Sequence, residues 1–382
     1  MLKKYLLSPG PTPVPEEVML EMAKPMIHHR TPQFSKIFSN VREKLKPLFG
    51  TTKEDVLILA GSGTAAMEAS IVNTMSPGDK ILVVNAGKFG KRWIDIAESY
   101  GISVESIELP WGRSVTAAQI EEKLISHPEI KGVFVQASET STAVYHPVKE
   151  IAEVVKLREN TIFVVDGITS VGVYETKMDE WGIDILVTGS QKAFMLPPGL
   201  AFIALSEKAW RFVKTSKSPR FYLDLEKERK SQNNGTTAYT PAVSLIIGLN
   251  KVLELMENEG LESIYKRHLV CAEATREAAK ALGFRLLAQD IPSNAATGII
   301  MPEDFDGQKF VKSMRDDSGI TFAGGQDHMK GKIVRISHLG YHDFMDTIIA
   351  VSAFEMGIKK AGLNIALGAG VATAEKIIID HI

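Results

Sequence analysis

The chain has 382 residues, a length that favours about two or three domains. Its 45% hydrophobic and 24% charged residues are ordinary for a soluble globular protein, and a net charge of −2 gives no sign of a nucleic-acid or membrane surface. The single cysteine, Cys271, excludes an internal disulfide and any Cys-x-x-Cys motif. No apolar run approaches the roughly 18 residues that cross a bilayer, and proline interrupts the N-terminal stretch before a signal sequence could form. We therefore expect a soluble cytoplasmic protein.

Residues 1–15 are rich in proline and glycine and are predicted to form an extended arm. From about residue 55 to 205, short apolar runs alternate with amphipathic patterns such as 89–100 and 116–127. The predicted strands are 55–59, 80–85, 103–109, 131–136, 161–166, 184–189 and 200–205. This alternation predicts an α/β fold with a mostly parallel sheet covered by helices on both faces.

The pattern changes near residue 260. A long helical run at 261–282 is followed by predicted strands at 283–288 and 332–337, with helical stretches between and after them. We therefore predict a large domain over residues 16–259 and a smaller α+β domain over 260–382.

A glycine-rich turn, Gly61-Ser62-Gly63, lies between the first predicted strand and a predicted helix. With Ala66 it reads G-x-G-x-x-A, close to the dinucleotide fingerprint, yet the next strand ends in Asn85 rather than an acidic residue. A Gly-Lys-Ser/Thr sequence, which a P-loop requires, is also absent after these glycines. The turn could still bind an anion at a helix N-terminus, or simply allow close packing.

Asp166 and Lys192 lie at or just beyond the ends of two predicted strands. Each alone has an ordinary explanation, since Asp before Gly is common in turns and a loop lysine is usually a solvated charge. In an open parallel sheet, however, the carboxyl ends of the strands line the ligand crevice. A lysine for covalent attachment, an acid for the pyridine nitrogen and a phosphate cradle are what pyridoxal phosphate requires.

Four stretches carry a family resemblance: GSGTAAMEA (61–69), QASETSTAV (136–144), VVDGITSVG (164–172) and GSQKAFMLPPGLAF (189–202). In this order they resemble the class V aminotransferases of fold type I, most closely the alanine–glyoxylate and serine–pyruvate aminotransferase branch. LLSPGPTPVP (6–15) and TTAYTP (236–241) are also similar to that branch, so the resemblance covers most of the chain.

The resemblance implies a role for each matching residue. Lys192 would bind pyridoxal phosphate and act as acid and base, while Asp166 would pair with the pyridine nitrogen. The phosphate would be held by Ser62, Gly63, Thr64 and Gln191. Ser141 matches a serine near the phenolic oxygen, and Phe89 stands where this branch often has a stacking tryptophan. Thr240, and with a weaker match Thr237, would reach the phosphate of the neighbouring subunit in a homodimer.

Arg335 alternates with Val334 and Ile336 in the apolar run 332–337. The pattern alone allows an edge-strand arginine that points to water, or a buried guanidinium that clamps a carboxylate. The resemblance favours a clamp for the amino acid's α-carboxylate, assisted by the backbone at Pro9-Gly10.

We assign no catalytic role to the remaining conspicuous residues. His28, His29 and Arg30 could border the substrate or dimer surface. His338 and His342 have helical metal-ligand spacing, but Gly340 interrupts it and an acid to complete the set is missing, so no metal is predicted. Cys271 lies in a helical pattern and is predicted to be packed, which disfavours the related cysteine desulfurases.

The predicted activity is transfer of an amino group from alanine or serine to glyoxylate or pyruvate, in two half-reactions. Aspartate or phosphoserine are alternative donors, for which Arg30, Arg220 or Lys330 could bind the second anion. A pyridoxal-phosphate lyase is the alternative chemistry. A non-catalytic scaffold and a dinucleotide-dependent dehydrogenase are more remote alternatives.

Overall fold

The computed structural model describes residues 2–53 and 55–382. Its strands, in chain order, are β1 Tyr5–Leu6, β2 Val56–Gly61, β3 Lys80–Asn85, β4 Ser103–Glu108, β5 Ile130–Gln136, β6 Ser138–Glu139, β7 Val144–Tyr145, β8 Ile162–Asp166, β9 Ile185–Gly189, β10 Gly199–Leu205, β11 Arg285–Leu286, β12 Ala296–Ile300, β13 Ile320–Thr321, β14 Ala323–Gly324 and β15 Ile333–Ser337.

The helices alternate with these strands in the first half of the chain. They are α1 Glu16–Met22, α2 Pro32–Phe49, α3 Gly63–Thr74, α4 Lys88–Ser99, α5 Ala117–Ser126, α6 Val148–Val155, α7 Met178–Trp181, α8 Glu207–Thr215, α9 Leu225–Gln232, α10 Val243–Glu259, α11 Leu261–Ala281, α12 Gly307–Ser318, α13 Phe344–Lys360 and α14 Ala369–Ile379. Within the described residues, none of these helices is long and apolar enough to cross a membrane.

A seven-stranded sheet of order β2-β10-β9-β8-β5-β3-β4 forms the centre of the first half. The pairs among β9, β8, β5, β3 and β4 are all parallel. β10 is antiparallel to both β9 and β2, because it returns directly beside β9 without a crossover helix. The predicted mostly parallel sheet is confirmed, with one reversed strand. The reversal leaves the carboxyl ends of the other strands at one edge.

Both faces of this sheet are buried. In β2, Val56 and Ile58 join one apolar cluster, while Leu57 and Leu59 join another on the opposite face. This follows from the period of two along a strand, and it explains why the strands are apolar at every position. Helices α2 and α10 pack on the first face, and α3 and α4 pack on the second.

A four-stranded antiparallel sheet of order β11-β12-β15-β14 lies in the second half. Two sequence-based expectations change here. The predicted strand 283–288 is only Arg285–Leu286, because Gly283 takes a left-handed φ of 86° and ends the preceding helix. The N-terminal arm is not wholly irregular, since Tyr5–Leu6 pairs in parallel with Ile320–Thr321. The domain division near residue 260 stays a prediction.

Phe134 offers a test of this core. It is fully buried on central strand β5, with its ring 5.0 Å from that of Trp93 on α4. Phe134→Ala should lower the free energy of unfolding by about 3–5 kcal/mol, because it removes contacts and leaves a cavity. Urea denaturation measures the loss. Met356→Ala, at a side chain that is 61% exposed, should change it by less than about 0.5 kcal/mol. Equal effects of the two substitutions would contradict this packing.

Candidate functional site

Two neighbouring strand ends bring Asp166 and Lys192 to one edge of the large sheet. Asp166 is the last residue of β8 and lies opposite Val187 of the parallel strand β9. β9 ends at Gly189, and Lys192 follows in the loop that leads to β10. Both side chains are buried, with 5% exposure for Asp166 and 9% for Lys192. The proximity expected from the sequence is therefore present.

Burial moves both groups toward their neutral forms. It raises the pKa of Asp166 to about 7, and the nearby Glu139 carboxylate acts in the same direction. It lowers the pKa of Lys192 to about 8, with a further contribution from the positive charge of Arg335. Each of the two groups favours the charged form of the other, but this attraction is weaker than the cost of desolvation.

The N-terminal arm covers Lys192. The lysine ammonium donates a hydrogen bond to the carbonyl oxygen of Pro9, and the Thr12 hydroxyl donates to the backbone oxygen of Lys192 at 2.8 Å. Gly10 between them has a φ of 114°, and a Cβ there would overlap Nζ of Lys192. Only glycine permits this backbone conformation and this close approach. The predicted substrate-side residue Gly10 thus lies directly against the lysine.

The start of α3 presents unpaired donors toward the same region. Ser62 is its N-cap, but the hydroxyl makes no capping bond, and the first two N–H groups of the helix, those of Gly63 and Thr64, lack intrahelical partners. Gly63 allows close packing here, because a Cβ would lie 2.5 Å from Cδ1 of Ile168 in the loop after Asp166 and would displace that side chain. The buried Oε1 of Gln191 has no hydrogen-bond partner within the described residues. A polar cradle at the positive end of the helix dipole results.

Glu139 organises the far side of the site. Its fully buried carboxylate accepts backbone N–H groups of Phe89 and Gly90, both at 3.1 Å, at the start of α4. It also accepts the Ser141 hydroxyl at 2.5 Å, and Ser141 in turn accepts the N–H of Lys88 at 3.0 Å. Burial raises the pKa of Glu139, and these donated bonds oppose the shift. Ser141 and Phe89 are therefore held by one carboxylate.

Arg335 is buried on an interior strand, with 6% exposure. Nη1 donates to the Thr140 carbonyl at 2.8 Å, and Nε and Nη2 donate to the Gly324 carbonyl at 3.1 and 2.9 Å. Burial lowers its pKa to about 10, while the Glu139 charge acts in the opposite direction. The alternative of an edge-strand arginine pointing to water is wrong, because β15 is paired on both sides.

Thr237 and Thr240 lie in the segment before α10, in a cleft that is also lined by Ala60 of β2 and Leu200 of β10. The Thr237 hydroxyl donates to the Tyr239 carbonyl at 2.5 Å, and Thr240 is exposed. Beside them, Phe221 is 74% exposed, and its ring lies 5.8 Å from that of Tyr239 in a tilted contact. Within the described residues, no hydrogen bond joins either threonine to Lys192 or to Ser62.

His338, His342 and Cys271, for which the sequence predicts no catalytic role, are buried within the protein. His338 and His342 are buried and hydrogen-bond to Thr297 and Thr347, at 2.9 and 3.0 Å. Burial lowers the pKa of His342 to about 4. Cys271 is buried, as predicted. Over the described part of the chain, no group of three or more His, Cys, Asp or Glu side chains is arranged to hold a metal ion.

The candidate cations for a second substrate anion differ in availability. Arg220 donates to the carbonyl oxygens of Val72, Val213 and Ser216, which places its guanidinium at the C-terminal ends of α3 and α8, away from the start of α3. Arg30 and Lys330 are exposed at the surface, as is His28, while His29 is half-buried.

Sequence reasoning missed Arg92, Glu139 and Thr140. Glu139 and Thr140 lie within QASETSTAV, a stretch in which the resemblance gave a role to the serine alone. Arg92 stands three residues after Phe89, which is a helical neighbour spacing. That spacing could have indicated that Arg92 and Phe89 share one helix face, but not what the face contacts.

The lowered pKa of Lys192 can be tested in the ligand-free protein. Only a neutral amine reacts with an acylating reagent, so the labelling rate of Lys192 should rise with pH through a midpoint of about 8. Peptide mass spectrometry after short reaction times measures this residue alone. In urea the midpoint should move to about 10.4, the value of a free lysine. A midpoint in the folded protein that equals the urea value would contradict the buried geometry.

Comparison with known proteins agrees with this architecture. A subunit named soluble hydrogenase, small subunit, of Synechococcus sp. (strain PCC 6716) is 43% identical over 379 residues, covering 98% of each chain. The L-aspartate–glyoxylate aminotransferase of Paracoccus denitrificans is 37% identical, covering 96% of this chain and 94% of that protein. The crystal structure of ureidoglycine–glyoxylate aminotransferase from Bacillus subtilis superposes with a TM-score of 0.94 at 27% identity, covering 99% of each chain. The family model described as aminotransferase class-V matches residues 4–346, and the chain belongs to this family of aminotransferases.

Proposed function

We propose that this aminotransferase uses pyridoxal 5′-phosphate to move an amino group from a small L-amino acid, alanine or serine, to glyoxylate or pyruvate. The observation that carries the proposal is the buried Lys192–Asp166 pair at adjacent strand ends. Family membership alone supports amino transfer, and this pair supports the cofactor.

The residues around the pair fit this cofactor. The N–H groups at the start of α3, together with the hydroxyls of Ser62 and Thr64 and the amide N–H donors of Gln191, suit its phosphate. Asp166 suits a protonated pyridine nitrogen, because that cation would lower the raised pKa of the carboxyl and keep it ionised. Phe89 suits the face of the ring. Ser141 is fully buried beneath Gly87, so its proposed approach to the phenolic oxygen requires the loop at 86–88 to adjust.

Once bound, the cofactor supplies a carbonyl group for the substrate amine and an electron-withdrawing ring. The protein supplies proton transfer and orientation. A pKa of about 8 lets a fraction of Lys192 be neutral near neutral pH, and the neutral Nζ is suited to remove the proton from Cα of the bound amino acid and return it elsewhere. Arg335 orients the α-carboxylate through paired N–H donors. Pro9 and Gly10 restrict water beside Lys192.

Substrate choice is inferred from size and charge. Glyoxylate is named as a substrate of two of the compared proteins, which supports it as the acceptor. The name of the Paracoccus relative also makes aspartate the main alternative donor. A second carboxylate needs a second cation, and Arg220 lies at the C-terminal ends of α3 and α8 while Arg30 and Lys330 are exposed. Since Arg335 is the buried cation at the substrate end, a donor with one carboxylate fits better.

The name of the Synechococcus relative suggests a different role, as a hydrogenase subunit. Iron–sulfur clusters are held by several cysteine thiolates. This chain has one cysteine, Cys271, and burial raises its pKa to about 11. These residues favour amino transfer over a redox role.

We further propose a cytoplasmic homodimer in which Thr240, and less directly Thr237, approaches the phosphate of the partner. Exposed Phe221 and Tyr222 beside Thr240 support an interface there, because large exposed aromatic groups are typical of such surfaces.

The direct test is Lys192→Ala. We expect the rate of amino transfer from alanine or serine to glyoxylate to fall by at least about 100-fold, because the proton-transferring amine is lost. Production of the donor's 2-oxo acid measures the rate. Lys131→Ala is the matched control, since this lysine is 50% exposed at the opposite edge of the sheet and should keep full activity. Full activity of folded Lys192→Ala protein would contradict the proposal.

A further inference from the structure

Arg92 is a cation of the site that the proposed function has not used. It lies on α4, one turn after Phe89, and its guanidinium carbon is 4.8 Å from the centre of the Phe89 ring. Its Nη1 donates to the Thr64 hydroxyl at the start of α3, at 3.1 Å. One side chain therefore joins the ring-stacking helix to the proposed phosphate cradle.

The hydrogen bond to Thr64 has a direction. A guanidinium only donates, so Thr64 Oγ1 is the acceptor and its own proton must point elsewhere. The hydroxyl is then oriented to donate, as an anion at the start of α3 requires. An acidic partner in the place of Arg92 would accept the Thr64 proton and reverse this polarity.

Arg92 is also free to carry its charge to a ligand. Its helix neighbour Lys91 pairs with Asp95, whereas Arg92 forms no ion pair with any carboxylate of residues 2–53 and 55–382. The charge acts within the site, since it lowers the pKa of both Asp166 and Lys192. The other proposed phosphate ligands in this chain, Ser62, Gly63, Thr64 and Gln191, are all neutral. A dianion in this part-buried place would otherwise lack a cation.

We propose that Arg92 is the cationic residue of the phosphate cradle, where it binds the cofactor's phosphate together with Thr64 and steadies Phe89. The proposal rests on the proposed function, because it takes the phosphate to be that of pyridoxal phosphate. It adds that binding depends on a formal charge as well as on the helix N-terminus.

The test measures binding rather than turnover. Cofactor-free wild-type protein and Arg92→Gln are titrated with pyridoxal phosphate and with pyridoxal, which lacks the phosphate. The quenching of tryptophan fluorescence measures binding. We expect the affinity of Arg92→Gln for pyridoxal phosphate to be about 10- to 100-fold lower than that of the wild type, which is the effect of losing a charge-assisted hydrogen bond. The affinity for pyridoxal should change by less than about threefold. Arg92→Lys should restore part of the lost affinity for pyridoxal phosphate, because it keeps the positive charge.

Salt gives a second comparison. Added potassium chloride should lower the affinity of the wild type for pyridoxal phosphate more steeply than that of Arg92→Gln. Salt screens the attraction between the Arg92 charge and the phosphate, and the variant lacks that charge. If Arg92→Gln lowered the affinities for pyridoxal phosphate and for pyridoxal equally, the proposal would be contradicted, and the role of Arg92 would be to position Phe89 alone. Unchanged affinity would also contradict it. Failure of the wild type itself to bind pyridoxal phosphate would instead overturn the proposed function.

Discussion

The parallel pairing of β8 with β9 is the constraint on which the site depends. Because the two strands run in the same direction, their carboxyl ends meet at one edge, and Asp166 and the loop with Lys192 emerge side by side. Because β10 returns antiparallel beside β9, the loop that carries Lys192 begins and ends at this same edge of the sheet. A shift of this register by one residue would turn Asp166 to the opposite face of the sheet.

Burial gives this juxtaposition its chemistry. In water an aspartate and a lysine would both be ionised at neutral pH and would attract only weakly. Here the apolar strands on one side and the N-terminal arm on the other remove water, and both pKa values approach the neutral range. The same desolvation lowers the pKa of Arg335, whose partners are the carbonyl oxygens of Thr140 and Gly324, and it supports the carboxylate-binding role that we propose for this residue. The arm is thus part of the site, although it begins more than 150 residues before Asp166.

Local sequence patterns predicted much of this arrangement. The apolar strands and the helices between them were identified to within a few residues, because alternating burial on two sheet faces leaves a clear pattern. The proximity of Asp166 and Lys192 could be predicted because the carboxyl ends of parallel strands lie at the same edge of a sheet. The two-residue strand Tyr5–Leu6 could not be predicted, since its partner lies at Ile320–Thr321 and so short a segment carries no pattern. Glu139 and Arg92 were missed for a related reason: each acts through contacts 28 to 50 residues away along the chain.

The central claim is that Lys192 and Asp166 hold a cofactor that accepts an amino group. Its most direct test is the visible absorption of the protein loaded with pyridoxal phosphate, recorded before and after one L-amino acid is added without any oxo acid. We expect a yellow band that one donor bleaches, with one equivalent of the donor's 2-oxo acid formed per site, and that glyoxylate or pyruvate restores. A protein that shows no such band with pyridoxal phosphate, or a band that none of alanine, serine, aspartate and phosphoserine changes, would contradict the account.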